Sequence, residues 1–406
     1  MTFEALNLHH YTQTAVKSGV KRLTLTDFRN YAYLRLNTEL NPIIVTGENG
    51  SGKTNILEAI SFLTPGRGLR AARLSDIKRI APALVSDDYI PVANTAWAVS
   101  ATVHNNDDDI EIGTGVESSF KEIEDETKSF DRRIVKIDGQ KISSQSDLGK
   151  YISAIWLTPQ MDRLFRGGSQ PRRSFLDRLV YAFDIEHAKR TSNFEHLYKE
   201  WFQLIKSGHT DGHWLASLEE EMAGIGVAIA AARREQIARL NSFIKSEPDD
   251  IFPNVELSLE GTIEQMLDDK PAIDVEDFYI GSLQKQRQRV LYSDYIDGIN
   301  RTDFKVLYKK KRMPAELCST GEQKSLLISI ILAQTKCQTL DKGFPPVLLL
   351  DEVVAHLDDV KREALLEKIK DLQIQAWITS TNAELFRSLR DCAQFFEVKN
   401  NCIFEQ

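Results

Sequence analysis

Apolar and polar residues alternate from Lys21 to Phe28 and again from Tyr33 to Leu36, the period-two pattern of half-buried strands, so two strands with a turn near Asn30 are predicted. Pro42, Ile43, Ile44 and Val45 form a continuous apolar run that ends at Thr46 and Gly47, as a buried strand feeding a glycine loop does. From Asn55 to Leu63 the apolar positions fall at helical spacing. Ile90 to Ile137 reads mainly as strands, notably Trp97 to Val99 and Ile134 to Ile137, around an acidic turn at Asn105 to Asp109.

From about Gln170 to Ile244 the period lengthens to that of helices, over Ser174 to Val180, His196 to Ile205 and the alanine-rich Leu215 to Phe243. Pro248, Pro253 and Pro271 interrupt this region before Val275 to Leu291 resumes it. The last segment is mixed again: a helix over Gly321 to Thr339, a strand over Pro346 to Leu350, a helix over Lys361 to Leu372 and a strand over Ala376 to Ser380. This order predicts an α/β protein whose main lobe is built from residues 21–165 and 292–406, with a helical lobe inserted at 166–291 and a flexible extension at 1–20.

Composition adds limits. Of the 406 residues, 42% are hydrophobic and 27% charged, and no apolar run is long enough to span a bilayer. Met1 to Val20 lacks the apolar centre of a secretory signal, so a cytoplasmic protein is expected. Cys318, Cys337, Cys392 and Cys402 form no C-x-x-C pair and read as free thiols. With a net charge of −8, any nucleic-acid contact must come from local basic patches.

The chemistry is concentrated in a few motifs. Gly47, Glu48, Asn49, Gly50, Ser51, Gly52, Lys53 and Thr54 match G-x-x-x-x-G-K-[ST] between a predicted strand and helix. In such a loop the backbone N–H groups and the helix start bind the phosphates of ATP, the lysine reaches the β- and γ-phosphates, and the Thr54 hydroxyl ligates Mg²⁺. The apolar strand Val347 to Leu350 ends in Asp351 and Glu352, a Walker B pattern in which Asp351 holds the magnesium shell and Glu352 activates the attacking water.

Ser319 to Lys324, opening the next-to-last predicted helix, resembles the signature motif of ABC-type ATPases, and Val353 to Asp358 resembles their D-loop. That resemblance implies that Ser319, Gly321, Glu322 and Asp358 complete a nucleotide held by a second copy of the chain. Thr158 to Gln160 stands where these ATPases carry a Q-loop, which gives Gln160 a catalytic or Mg²⁺-binding role. Thr379 to Thr381 occupies the place of the transporters' switch histidine, so sensing by histidine is excluded there.

Three further segments resemble the RecF family of recombination mediators: Phe28, Arg29, Asn30 and Tyr31 match its F-R-N-Y, Gly52 to Ile60 resembles its extended phosphate-loop helix, and Pro171 to Asp177 resembles its P-x-x-R-R-x-F-L-D stretch, sharing R-R-x-F-L-D with the proline directly before the arginines. The chain departs from the family's G-P-H-R-x-D, carrying Ile299 and Asn300 before Arg301 and Asp303, and it has Glu322 where many members have Gln.

The resemblance implies an SMC-like or Rad50-like ATPase head without a long coiled coil. Such a head dimerises on ATP, binds double-stranded DNA near single-strand gaps, and works with RecR and in some species RecO to load RecA. It also assigns Arg29, Asn30 and Asn55 to the nucleotide site. DNA contacts are expected from Arg67, Arg70 and Arg73 after the phosphate-loop helix and from Lys309, Lys310 and Lys311 before the signature. Two rivals are an ATPase subunit of another ABC-type system, and a nucleotide-switched clamp with negligible hydrolysis.

Overall fold

The computed structural model describes residues 18–79, 96–106, 108–123, 126–208, 212–246, 251–292 and 297–406. In chain order it contains β1 (Gly19–Phe28), β2 (Tyr31–Asn37), β3 (Ile43–Gly47), α1 (Lys53–Ser61), α2 (Leu74–Ile77), β4 (Ala98–Asn105), β5 (Asp108–Ile123), β6 (Glu126–Ile137), β7 (Gln140–Lys141) and β8 (Ala154–Leu157). The middle holds α3 (Ser169–Tyr181), α4 (His187–Lys206), α5 (Gly212–Ser246), β9 (Val255–Glu260), α6 (Thr262–Asp269) and α7 (Ala272–Val290). The chain finishes with β10 (Asp303–Tyr308), β11 (Met313–Pro314), α8 (Thr320–Lys342), β12 (Val347–Asp351), α9 (Asp359–Asp371), β13 (Ala376–Ser380), β14 (Gln394–Lys399) and β15 (Cys402–Glu405).

One sheet, in the order β15-β14-β3-β13-β12-β8, is parallel except for β15. Its inner strands β3, β13 and β12, with β8, are buried on both faces, which is why they read as largely apolar runs. Ile43 and Val45 point into one core with Val347, Leu349 and Trp377, while Ile44, Leu348, Leu350 and Ile378 point into the other. The first core is closed by α1 and by an antiparallel sheet, β2-β1-β4-β5-β6-β7; the second is closed by α3, α8 and α9.

The expected flexible lead-in ends sooner than residue 20. Gly19 and Val20 already lie in β1, Val20 is fully buried, and its N–H donates to Gln375 Oε1 at 2.8 Å; residues 1–17 of that extension lie outside the described residues. The expected strand content at 90–95 and the break at Pro248 also lie outside them.

Helices α4 to α7 form a third core around Trp201, Met222 and Tyr279. This lobe is not purely helical: β9 pairs antiparallel with β10 across the expected boundary at residue 291. The apolar positions of β9 are only Val255, Leu257 and Leu259, too short an alternation to stand out between prolines.

The motif around Arg172 is a structural tie between lobes. Arg172 bonds Asp303 through two nitrogens at 2.7 and 2.8 Å, and Arg173 donates to the Thr302 carbonyl at 2.9 Å. Asp177 accepts from Arg233 of α5 at 2.8 and 2.9 Å and lies 2.8 Å from His187 Nε2. Burial pushes the Asp177 carboxyl up, but Arg233 and His187 outweigh it and hold the group well below its ordinary value. The two family stretches, around residues 171–177 and 298–303, therefore meet as one ion-paired junction.

Candidate active site

The parallel register brings the chemical residues to one edge of the sheet. Ser380 pairs with Thr46, Thr379 with Asp351, and Leu350 with Leu157, so the phosphate loop, both acidic residues and Thr158 all follow the carboxyl ends of neighbouring strands. That edge is where ligands bind in open α/β sheets.

The loop conformation depends on glycine at two places. Gly52 sits at φ 109°, and a Cβ there would lie 2.3 Å from Asn30 Nδ2 and 2.8 Å from the Tyr31 hydroxyl. Gly47, at φ 148°, has the Val398 carbonyl 2.5 Å from the Cβ position. The Ser51 hydroxyl is buried without a partner, an orphan that a phosphate oxygen would satisfy.

Lys53 is nearly buried, with Nζ donating to the carbonyls of Gly47 and Glu48, each at 2.8 Å, and lying 3.9 Å from Glu352 Oε1. Burial pulls its ammonium below the ordinary lysine value, while Glu352 and Asp351 oppose that shift.

The acidic pair is held by a hydroxyl that the sequence reading passed over. Asp351 Oδ1 accepts from the Thr54 hydroxyl and from the Thr379 hydroxyl, both at 2.8 Å. The Glu352 N–H donates to the same Thr379 oxygen at 3.0 Å. Glu352 has φ 54°, a left-handed conformation uncommon for a residue other than glycine. The signal in the sequence is a hydroxyl at the end of the strand paired with the Walker B strand, at Thr379.

Among the described residues, no cluster of three or more His, Cys, Asp or Glu side chains is placed to hold a metal. Thr54 and Asp351 nevertheless offer hydroxyl and carboxylate oxygens 2.8 Å apart. Hard oxygen donors of this kind fit Mg²⁺.

Arg29 and Asn30, expected at the nucleotide, support the loop from behind. Arg29 binds the fully buried Glu58 at 2.9 and 2.6 Å, because a carboxylate inside a helix face needs a guanidinium to be tolerated. Asn30 donates to the Ser51 carbonyl at 3.2 Å and accepts from Asn55 at 2.6 Å, and Tyr31 donates to the Gly52 carbonyl at 3.2 Å. Arg70, expected on DNA, donates to Glu58 and to Asn55, each at 2.8 Å, and so belongs to this brace. Arg67 and Arg73 are exposed.

Ser319 caps α8 with Glu322 in a reciprocal capping box. A Cβ at Gly321 would meet nothing within 4 Å. Asp358, expected at a nucleotide, caps α9 by accepting from Lys361 N at 2.9 Å. Gln160 is exposed on the short 3-10 turn Pro159–Arg163. That turn is tied to the signature helix by Lys324, 3.2 Å from Asp162, and Arg166 donates to the Cys318 carbonyl at 3.3 Å. Lys309 and Lys310 are exposed on the β10–β11 turn, whereas Lys311 pairs with Glu322.

A phosphate loop beside a Walker B strand, with a capped signature helix on the same body, defines an ABC-type ATPase head. The model of the RecF/RecN/SMC N terminal domain matches residues 19–403, and the DNA replication and repair protein RecF of Rhizobium rhizogenes is 41% identical over 389 residues, 95% of this chain and 98% of that protein. The chain belongs to the RecF family. In fold it matches a solved structure described as the recombination mediator protein RecF-ATPrS in the RecFOR pathway, at a TM-score of 0.78 and 18% identity over 97% of this chain and 100% of that one. A second, described as RecF-ATP, matches at a TM-score of 0.75 and 19% identity over 96% and 100%.

Proposed function

We propose that this protein binds ATP with Mg²⁺, hydrolyses it slowly between two copies of the chain, and in the ATP state binds double-stranded DNA near single-strand gaps. With RecR, and RecO where present, it would help load RecA in the cytoplasm. The observation that carries the ATPase reading is the Thr54–Asp351–Thr379–Glu352 chain of hydrogen bonds beside Lys53. The RecF family membership supports the repair role, and the descriptions of the solved relatives support ATP and the RecFOR pathway.

On this reading Lys53 leaves the Gly47 and Glu48 carbonyls for the β- and γ-phosphates, and Ser51 and the loop N–H groups take phosphate oxygens. Thr54 and Asp351, and on the Q-loop resemblance Gln160, would hold Mg²⁺, which neutralises phosphate charge. Glu352, aimed by its backbone bond to Thr379, accepts a proton from the water that attacks the γ-phosphorus, and ADP leaves. Arg67, Arg73, Lys309 and Lys310 supply DNA phosphate contacts.

The dimer reading draws support from Gly321. Glycine inside a helix is up to about 1 kcal/mol less favourable than alanine, and among the described residues no atom lies near enough to the Gly321 Cβ position to require it there. Close approach by a second copy's triphosphate is a reason for its presence. Turnover measured with and without gapped duplex tests the proposal: hydrolysis stimulated by the gapped DNA and abolished by Lys53→Ala supports it. A folded protein with no turnover on any DNA supports the clamp instead.

A further inference from the structure

The signature of this chain carries a charge at its tip. Glu322 is the third residue of α8, and its Oε2 accepts from the N–H and the hydroxyl of Ser319, each at 2.8 Å, while its own N–H donates to Ser319 Oγ at 3.3 Å. This capping box stabilises the helix start by about 1 kcal/mol. The same carboxylate also stands where the proposed sandwich brings a γ-phosphate. A phosphate oxygen about 2.8 Å from the Ser319 hydroxyl lies within about 6 Å of the carboxylate. At an effective dielectric near 40, two like charges at that distance weaken binding about tenfold.

Lys311 supplies the compensation. It projects from the turn between β10 and β11, lies over the Tyr308 ring, and pairs with Glu322 Oε1, the oxygen that Ser319 leaves free. The Lys311 ammonium, with the Ser319 N–H and hydroxyl, holds the Glu322 carboxyl down at about 2, so the charge is present at every working pH.

We propose that Lys311 is a positioning residue for the signature: it cancels the Glu322 charge on the surface where a second copy's triphosphate docks, and it is not one of the lysines that grip DNA. The proposal rests on the sandwich reading. A glutamine at 322 keeps the acceptor that caps Ser319 and removes the charge, so the need for Lys311 exists only while residue 322 is acidic.

The test uses the full chain carrying Glu352→Gln to stop hydrolysis, with dimerisation followed by sedimentation at saturating ATP. Lys311→Gln should weaken the dimer about a hundredfold, about tenfold at each of two symmetric sites, without changing ATP affinity of the monomer. Adding Glu322→Gln to Lys311→Gln should restore dimerisation to within about threefold of the parent, and Lys311→Arg should dimerise like the parent. Duplex affinity without ATP should be the same for Lys311→Gln and the parent. A Lys311→Gln protein that dimerises like the parent, or one that Glu322→Gln fails to rescue, overturns the proposal. A parent that stays monomeric overturns the sandwich reading itself, before Lys311 is altered.

Discussion

Replacing Thr379 by valine removes one hydroxyl and little else, since the two side chains have nearly the same shape. Thr379 is fully buried, and its oxygen makes the 2.8 Å bond to Asp351 and receives the 3.0 Å bond from the Glu352 N–H. Losing a hydrogen bond to a carboxylate costs about 1.5–3 kcal/mol, and stranding the Glu352 N–H adds to this, so a stability loss of about 2–3 kcal/mol is expected. The larger effect is on turnover. Glu352 has a left-handed backbone and its N–H is anchored on the Thr379 hydroxyl, and misplacing a catalytic group by about 1 Å costs on the order of a hundredfold.

Thr379→Val should therefore lower kcat by about 10- to 100-fold while ATP affinity stays within about threefold, because Lys53 and the loop are untouched. Thr379→Ser, which keeps the hydroxyl, should stay near wild type. Steady-state turnover, nucleotide titration and thermal unfolding on the three proteins separate these effects. A folded Thr379→Val protein with wild-type turnover would refute the role given to that hydroxyl.

Lys53→Ala should abolish ATP binding in a nucleotide titration, since the remaining loop lacks the cation that reaches the β- and γ-phosphates. Asp177→Asn removes the carboxylate that takes two of the bonds of the buried Arg233, leaving it Glu264, the Ile299 carbonyl and Thr302, and should destabilise the fold by about 1–3 kcal/mol in denaturant unfolding. Because the folded Asp177 carboxyl is held low, its contribution is present above the unfolded value near 3.9 and lost as pH falls. The gap between wild type and Asp177→Asn should be constant above about pH 5 and narrow below about pH 4. Reversing charge at Lys309 and Lys310 should weaken duplex binding and flatten its dependence on salt, read from binding isotherms at several ionic strengths.

Much of the site was legible because its parts are local. The loop from Gly47 to Thr54 and the run from Val347 to Glu352 each announce a strand and its chemistry within a few residues. The parallel core was readable for the same reason, as burial on both faces leaves an unbroken apolar string. What escaped are long-range pairings. Nothing in the spacing of Arg29, Glu58 and Arg70 says that two arginines converge on one buried carboxylate. Likewise Asp303 meets Arg172 and Thr379 meets Asp351 across 131 and 28 residues. The β9–β10 pairing was hidden because β9 is six residues long, too short for its alternation to be separated from its surroundings.

The central claim is that a triphosphate held by one copy's Lys53 loop is completed by the Ser319 helix of another. Sedimentation of the Glu352→Gln protein with saturating ATP tests it most directly, alone and combined with Ser319→Arg. The account predicts a nucleotide-dependent dimer for the first protein and an ATP-bound monomer for the second. A Glu352→Gln protein that binds ATP yet remains monomeric, or one whose dimer survives Ser319→Arg, would contradict it.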